Sequence, residues 1–353
     1  MKDVFHILNE LEHASGRNVL STIIQVEGSA YRKEGAMLLV NEDGTQIGLL
    51  SGGCLERDLA EQAQRVLQEG TSRTIEYDMS AEDDRLWGQG SGCNGSIRVL
   101  LEVVDSPLAE HLKRLKKYLD EGISVLHVKK LSDTGSVTDY LFVTEHRQAF
   151  GKWDGAFPMQ WDRSEGYFMQ LFEPKPRLII FGAGPDAVPL VRFAAHVGFS
   201  VTVTDWRPEF CNRTHFPDAD DCRVGFPRSI VEHFSFSPRD SVIIMTHHFQ
   251  RDREILQILL REKLNYIGVL GPRKRTSRLL GTEEIPNWIH SPVGLSIGAE
   301  GPEEIAISIL ADVIQTVRQR RKPHDYGNLF SSWAEQADGT SQTFPIGRRK
   351  KSG

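Results

Sequence analysis

The sequence contains no long apolar segment, few cysteines and no excess of positive charge. No stretch of its 353 residues approaches the roughly 18 uninterrupted apolar residues that span a bilayer, and residues 1–6 lack the apolar core of a signal peptide. Four cysteines are too few for a disulfide framework and suit a reducing compartment. The 42 basic and 48 acidic residues leave a net charge of −6, whereas a phosphate-binding surface needs a basic face. These absences predict a cytoplasmic protein that binds neither membranes nor nucleic acid.

The length and composition predict two ordinary globular domains. At about 150 residues per domain the chain is long enough for two cores, and its 39% hydrophobic residues are sufficient to fill them. The segment from Glu173 to Pro176 is the predicted linker, because its two prolines neither donate to a sheet nor continue a helix. We therefore predict an N-terminal domain over residues 1–172, a C-terminal domain over residues 177–320 and a polar tail over residues 321–353.

The apolar periodicity predicts an α/β protein, with a mixed α/β N-terminal domain followed by a Rossmann-like, doubly wound parallel-sheet domain. After the linker, strands alternate with helical segments, as parallel strands joined by crossover helices require. The predicted helices cover residues 4–11, 55–67, 108–119, 188–197, 251–261 and 302–317. The predicted strands cover residues 18–26, 37–40, 47–50, 97–104, 177–181, 200–205, 241–246 and 266–270, with further strands between residues 125 and 172.

A glycine loop lies between the first strand and the first helix of the C-terminal domain. Gly182, Gly184 and Ala187 form a G-x-G-x-x-A pattern, in which the glycines allow a tight turn and a close approach to a pyrophosphate. Asp205 follows 21 residues after Gly184 at the end of the next strand, where a ribose-binding carboxylate is expected. The alternative is that the glycines only make the turn and that Asp205 only ends a strand. Pro185 favours this alternative, because it removes an N–H that could face the phosphate.

Two cysteines in the N-terminal domain each follow small, flexible residues. Cys54 comes after Gly52 and Gly53 and just before a predicted helix, and Cys93 comes after Gly92. A helix N-terminus favours the thiolate, which is the ligand and nucleophile form, although acidic side chains in the same helical turn oppose it. Neither cysteine has a CxxC partner, so the pattern does not predict a zinc site. The alternative for both is a small buried side chain, and we assign that role to the other two cysteines, Cys211 and Cys222.

Taken together, these segments resemble the XdhC/CoxI family, accessory proteins for molybdenum hydroxylases such as xanthine dehydrogenase. The resemblance lies in residues 27–37 (EGSAYRKEGAM), 51–56 (SGGCLE), 181–184 (FGAG), 246–247 (TH), 267–275 (IGVLGPRKR) and 292–299 (PVGLSIGA). The sequence differs from the family pattern at His248, where an acidic residue is expected, and around Cys93, where Ser91 and Asn94 interrupt a run of glycines.

The resemblance implies a protein that binds the molybdenum cofactor as cargo, supports its sulfuration and delivers it to the apo form of a molybdenum hydroxylase. It implies a cofactor-handling chaperone more than a stand-alone enzyme, so we assign no catalytic residues. It also implies a cysteine desulfurase as the partner that donates sulfur, and a homo-oligomeric state. Cys54 and Cys93 would be the metal ligands. The cofactor-binding residues would be Cys54, Cys93, Gly52, Gly53, Gly182, Gly184, Asp205, His247 and Arg273. The resemblance leaves open whether the Rossmann-like domain also binds a nucleotide.

Three other functions compete with this interpretation. The protein is not expected to be the hydroxylase itself, because two [2Fe–2S] clusters need four cysteines each and the sequence has four in all. An NAD(P)-dependent oxidoreductase would use the glycine loop and His247 as proton donor. The sequence places no carboxylate to orient His247 or His248, although Asp252 comes close to them if it begins the next helix. The third alternative is an assembly factor whose Rossmann-like domain binds nothing. For Arg273, Lys274 and Arg275 the two alternatives are binding of the cofactor's phosphate and an exposed basic loop.

Overall fold

The structure is a computed structural model that describes residues 2–13, 16–79, 95–154, 166–232 and 234–320. The chain divides between Pro174 and Lys175 into two units, which are described separately below. The predicted tail over residues 321–353 lies outside the described residues. In the part of the chain that the structure describes, no helix has the length and apolar character needed to cross a membrane.

The first unit contains a five-stranded antiparallel sheet. Its strands are β1 (Asn18–Gly28), β2 (Met37–Asn41), β3 (Gln46–Gly48), β4 (Arg73–Asp78) and β5 (Gly95–Val103). They lie in the order β3–β2–β1–β5–β4, so the long β1 strand is central. Residues of β1 alternate between two cores, because successive side chains of a strand point to opposite faces. Val19 and Ile23 join one core, and Leu20 joins the other.

Helix α2 (Glu56–Glu69) covers one face of this sheet and places the N-terminal cysteine loop beside it. Its buried residues recur at helical spacing: Leu59, Ala63, Val66 and Leu67. The helix ends at Gly70, which adopts a left-handed conformation and donates its N–H to the carbonyl of Val66. The residue before the helix, Leu55, is fully buried and fixes the start of α2 against the sheet.

A second antiparallel sheet completes the first unit. It consists of β6 (Val125–Leu131), β7 (Val137–Thr144), β8 (Ala149–Lys152) and β9 (Tyr167–Phe172) in the order β8–β7–β6–β9. Helices α1 (Lys2–His13) and α3 (Ser106–Asp120) pack with both sheets in one apolar core. Asp105 caps α3 by accepting a 2.9 Å hydrogen bond from the N–H of Leu108.

The second unit is a Rossmann-like, doubly wound domain, as predicted. Its strands are β10 (Arg177–Phe181), β11 (Ser200–Asp205), β12 (Asp221–Val224), β13 (Ser241–Ile244), β14 (Tyr266–Val269) and β15 (Ile289–His290). All pair in parallel in the order β12–β11–β10–β13–β14–β15. The strand order therefore reverses beside β10, and ligands of such sheets bind at the carboxyl ends of the strands there.

Helices cover both faces of the parallel sheet. Helices α4 (Ala187–His196) and α8 (Gly301–Arg320) pack on one face, with Leu178 and Ile180 of β10. Helices α5 (Pro227–Glu232), α6 (Phe249–Leu259) and α7 (Arg273–Leu280) pack on the other, with Ile179 and Phe181. The alternation along β10 explains its continuous apolar run, since a strand buried on both faces needs apolar side chains at every position.

Candidate functional site

The cysteine loop of the first unit, residues 51–55, is held in place by hydrogen bonds of the Ser51 side chain. This buried hydroxyl accepts hydrogen bonds from the N–H groups of Gly53 (3.2 Å) and Leu55 (3.1 Å). It also donates to the carboxylate of Glu56, which accepts a second bond of 2.8 Å from the N–H of Ser51. Burial raises the pKa of Glu56, but the hydrogen bonds from Ser51 outweigh it and hold that pKa below its ordinary value. The loop is therefore rigidly anchored to the first turn of α2.

The loop presents Cys54 to solvent. The Cys54 side chain is an exposed free thiol. Among the residues that the structure describes, none has an atom within 4 Å of a Cβ added at Gly52 or at Gly53, so the backbone beside the thiol is open at both glycines. Gly53 has a φ of +111°, which requires glycine, whereas Gly52 does not have a φ in that region. A flat molecule can therefore approach the backbone closely beside the thiol.

Cys93, the second predicted thiol ligand, lies outside the described residues. Within the described ranges, no group of three or more histidine, cysteine, aspartate or glutamate side chains is arranged to hold a metal ion. Whether Cys93 joins Cys54 stays a prediction. Cys211 in the second unit is buried, and burial raises the pKa of its thiol to about 12, as expected for a structural side chain.

The glycine loop of the second unit is required by the fold. Gly182 has a φ of +121°, and a Cβ there would lie 2.4 Å from the carbonyl oxygen of Met245. Its N–H donates a 2.8 Å hydrogen bond to the carbonyl of Thr204, so the loop is tied to β11. The glycine is needed for chain packing whether or not a ligand binds, which agrees with the alternative interpretation of this motif.

Both carboxylate oxygens of Asp205 accept hydrogen bonds from other groups of the protein. One carboxylate oxygen accepts hydrogen bonds of 2.8 Å from the N–H of Ala183 and from the Arg207 guanidinium. The other accepts from the N–H and Nε of Arg207, at 3.0 and 2.9 Å. Burial raises the pKa of Asp205, but the bonds from Arg207 and Ala183 outweigh it and hold that pKa below its ordinary value. Because the side chain is inaccessible to solvent, a ribose would have to displace Arg207 to reach it.

His247 pairs with a carboxylate that the sequence did not identify. Its Nε2 donates a 2.7 Å hydrogen bond to Asp186, the residue that precedes α4. His247 has a φ of +58°, an uncommon conformation for a residue with a side chain and one that is concentrated at functional sites. Asp252 lies in the first turn of α6, where its carboxylate accepts hydrogen bonds from Thr246 and Arg275.

The basic segment of residues 273–275 is helical. Arg273 is the first residue of α7, where its side chain is exposed and donates a 3.4 Å hydrogen bond to the carbonyl of Ser291. Arg275 forms a 2.6 Å ion pair with the buried carboxylate of Asp252. The alternative of an exposed basic loop is therefore wrong about the loop, because a helix begins here after Pro272, and Arg275 turns inward while Arg273 and Lys274 are exposed.

Comparisons with known proteins cover almost the whole chain. The family models that match are described as the XdhC and CoxI family (residues 11–78), the BH1974-like central domain (residues 106–178) and the XdhC Rossmann domain (residues 178–313). A Bacillus subtilis (strain 168) protein named as a probable subunit of xanthine dehydrogenase is 45% identical over 326 residues, which are 88% of this chain and 97% of that protein. The molybdenum cofactor insertion chaperone PaoD of Escherichia coli (strain K12) is 27% identical over 312 residues, 84% of this chain and 82% of PaoD.

A solved structure has the same fold over its full length. The crystal structure described as a xanthine dehydrogenase (BH1974) from Bacillus halodurans matches with a TM-score of 0.87 and 53% identity, covering 93% of this chain and 99% of that one. These similarities confirm the resemblance found in the motifs. The chain belongs to the XdhC and CoxI family.

Proposed function

We propose that this protein binds the molybdenum cofactor as cargo, supports its sulfuration and delivers it to the apo form of a xanthine dehydrogenase-type hydroxylase. The observation that carries the proposal is the Cys54 loop, an exposed thiol beside open glycine backbone on a rigid anchor. Molybdenum binds soft sulfur ligands such as a thiolate, and the open glycine backbone leaves room for the flat pterin of the cofactor. The relative PaoD, named as a molybdenum cofactor insertion chaperone, supports the same role.

Two relatives carry the name xanthine dehydrogenase, and the cysteine count argues for an accessory role beside such an enzyme. The two iron–sulfur clusters of a hydroxylase would use eight cysteines, whereas this chain has four, one of them buried with a raised thiol pKa. The clusters would therefore reside on another chain. We propose that this other chain is the client and that a cysteine desulfurase supplies the sulfur.

The test compares three purified proteins from a host supplied with molybdenum: the wild type, Cys54→Ser, and the matched control Cys222→Ser. Bound molybdenum is measured by mass spectrometry and bound pterin by fluorescence after oxidation. We expect the wild type and Cys222→Ser to retain equal amounts and folded Cys54→Ser to retain none. Equal content in all three proteins contradicts a role of Cys54 in cargo binding.

Gly52→Ala provides a second test that leaves the thiol intact. The added methyl group meets no atom of the described residues within 4 Å, so the variant should fold normally. If cargo lies against the backbone at this residue, the methyl group will reduce the amount of cofactor retained. Wild-type retention in Gly52→Ala would place the cargo elsewhere.

A further inference from the structure

The glycine loop of the second unit has the residue pattern of a dinucleotide site. In such a loop the second glycine lacks a Cβ, so that its backbone can lie against the pyrophosphate. Gly184 is that glycine, but it does not have a positive φ, so its backbone conformation does not explain the missing side chain. A Cβ added at Gly184 would lie 2.5 Å from Oδ1 of Asp186. The space that a pyrophosphate would need is therefore filled by a carboxylate of the chain itself.

The fold holds Asp186 in this position. Its Oδ2 accepts the 2.7 Å hydrogen bond from Nε2 of His247, which follows β13. Asp186 also immediately precedes α4, where the positive end of the helix dipole stabilises a carboxylate. The same negative charge repels a phosphate, which would otherwise bind at that helix end.

Most backbone N–H groups of the loop are used within the protein. Those of Gly182 and Ala183 donate 2.8 Å hydrogen bonds to the last two residues of β11. Pro185 has no N–H, and the N–H of Ala187 donates to the carbonyl of Gly184. Few donors are therefore left to replace the water that a pyrophosphate loses when it binds.

The ribose of a dinucleotide would also find its usual partners occupied. Both carboxylate oxygens of Asp205 accept hydrogen bonds from Arg207, so neither is free for a 2′-hydroxyl. A ribose with a 2′-phosphate, as in NADP, would instead need an arginine. Nε and Nη2 of Arg207 already donate to Asp205, so the phosphate would have to compete with a buried carboxylate.

We propose that Asp186 is a built-in substitute for the phosphate and closes this Rossmann-like unit to dinucleotides. The carboxylate fills the space beside Gly184 and neutralises the helix end, and His247 keeps it there. The loop joins α4 to the end of β13 instead of binding a pyrophosphate. This argues against the NAD(P)-dependent oxidoreductase that the sequence left open. The proposal rests on the second unit alone and is independent of the Cys54 loop.

The test measures binding of ADP, NAD⁺ and NADP⁺ to the full-length protein by isothermal titration calorimetry at millimolar concentrations. In Asp186→Ser a hydroxyl, which can donate to a phosphate, replaces the carboxylate. The matched control, Glu262→Ser, removes the same charge from an exposed residue between α6 and β14, at the opposite end of the sheet. We expect no saturable binding to the wild type or to Glu262→Ser. We expect Asp186→Ser to bind ADP roughly tenfold or more tightly than the wild type, because the repulsion at the helix end is removed.

A second substitution shows whether the gained binding lies at the loop. Gly184→Val is added to Asp186→Ser. Apart from Asp186 and the two chain neighbours, no described residue has an atom within 4 Å of the added Cβ, so the double variant should fold. We expect it to lose the gained affinity, because the valine occupies the place of the pyrophosphate.

Circular dichroism and melting temperatures check that each variant is folded. Saturable binding of NAD⁺ or NADP⁺ to the wild type would overturn the proposal. So would a folded Asp186→Ser protein that binds ADP no more tightly than the wild type, or a double variant that keeps the gained affinity.

Discussion

We predict that the Ser51 hydroxyl holds the Cys54 loop in the conformation that binds the cofactor. Ser51→Ala removes three hydrogen bonds: one donated to Glu56 and two accepted from the N–H groups of Gly53 and Leu55. The N–H of Leu55 is buried and would lose its partner, at a cost of about 1–3 kcal/mol. The N–H of Gly53 can turn to water, since the loop is exposed there. We therefore expect the first unit to lose about 2 kcal/mol of its free energy of unfolding.

The same substitution should also weaken cargo binding, although the thiol remains. Without the Ser51 anchor the loop samples more conformations, so binding must restrict them again. We expect Ser51→Ala to retain less molybdenum than the wild type. Urea denaturation measures the stability of each variant, and the bound metal is measured on the same preparations.

The matched variant for this test is Cys54→Ser. Its side chain is exposed, so its stability should stay within about 0.5 kcal/mol of the wild type while its cargo is lost. The reasoning fails if Ser51→Ala is as stable as Cys54→Ser, or if it is destabilised but still retains cargo as the wild type does.

Three further predictions concern the stability of the fold. Lys129→Met leaves the buried Glu102 carboxylate without its ion-pair partner, so urea denaturation should show a loss of about 3–5 kcal/mol, most of it recovered when Glu102→Leu is added. Burial lowers the pKa of His127 well below its ordinary value, so as the pH falls below about 6.5 the unfolded chain gains a proton that the folded chain does not. The stability of His127→Phe relative to the wild type should therefore rise by about 1.4 kcal/mol per pH unit below 6.5, and a constant difference would refute this. Gly182→Ala should lower the melting temperature sharply because its Cβ collides with the Met245 carbonyl, and an unchanged melting temperature would show that the loop can relax.

Much of the fold could be predicted from apolar spacing within short segments. The β2–β3 hairpin, α2, α3 and the last helix each carry a regular apolar pattern, and the structure has them within a few residues of the predicted bounds. Strand β4 was missed because its residues are mostly half-buried or exposed and show no clear alternation. Helix α7 was missed because its first turn contains three basic residues and its buried side chains are few.

The candidate sites were less predictable, because their geometry depends on residues far apart in the chain. The sequence identified Cys54 and its glycines as candidates, and these residues lie within one short loop. It did not identify Asp186 as the partner of His247, since 61 residues separate them and only the parallel pairing of β10 with β13 brings them together. A carboxylate two residues after the second glycine of the loop, where a phosphate is expected, was the one available signal. The role of Arg207 in occupying Asp205 could have been suspected from its position two residues later.

The most direct test of the proposed role is transfer of cofactor to a client. Purified protein loaded with cofactor is mixed with an apo-hydroxylase of the xanthine dehydrogenase type, and oxidation of a purine is followed over time, with Cys54→Ser protein as control. The account predicts that the wild-type protein activates the apo-enzyme, that Cys54→Ser does not, and that the protein alone oxidises no purine. An apo-enzyme that gains no activity from the loaded wild-type protein, or purine oxidation by the protein unaided, would contradict it.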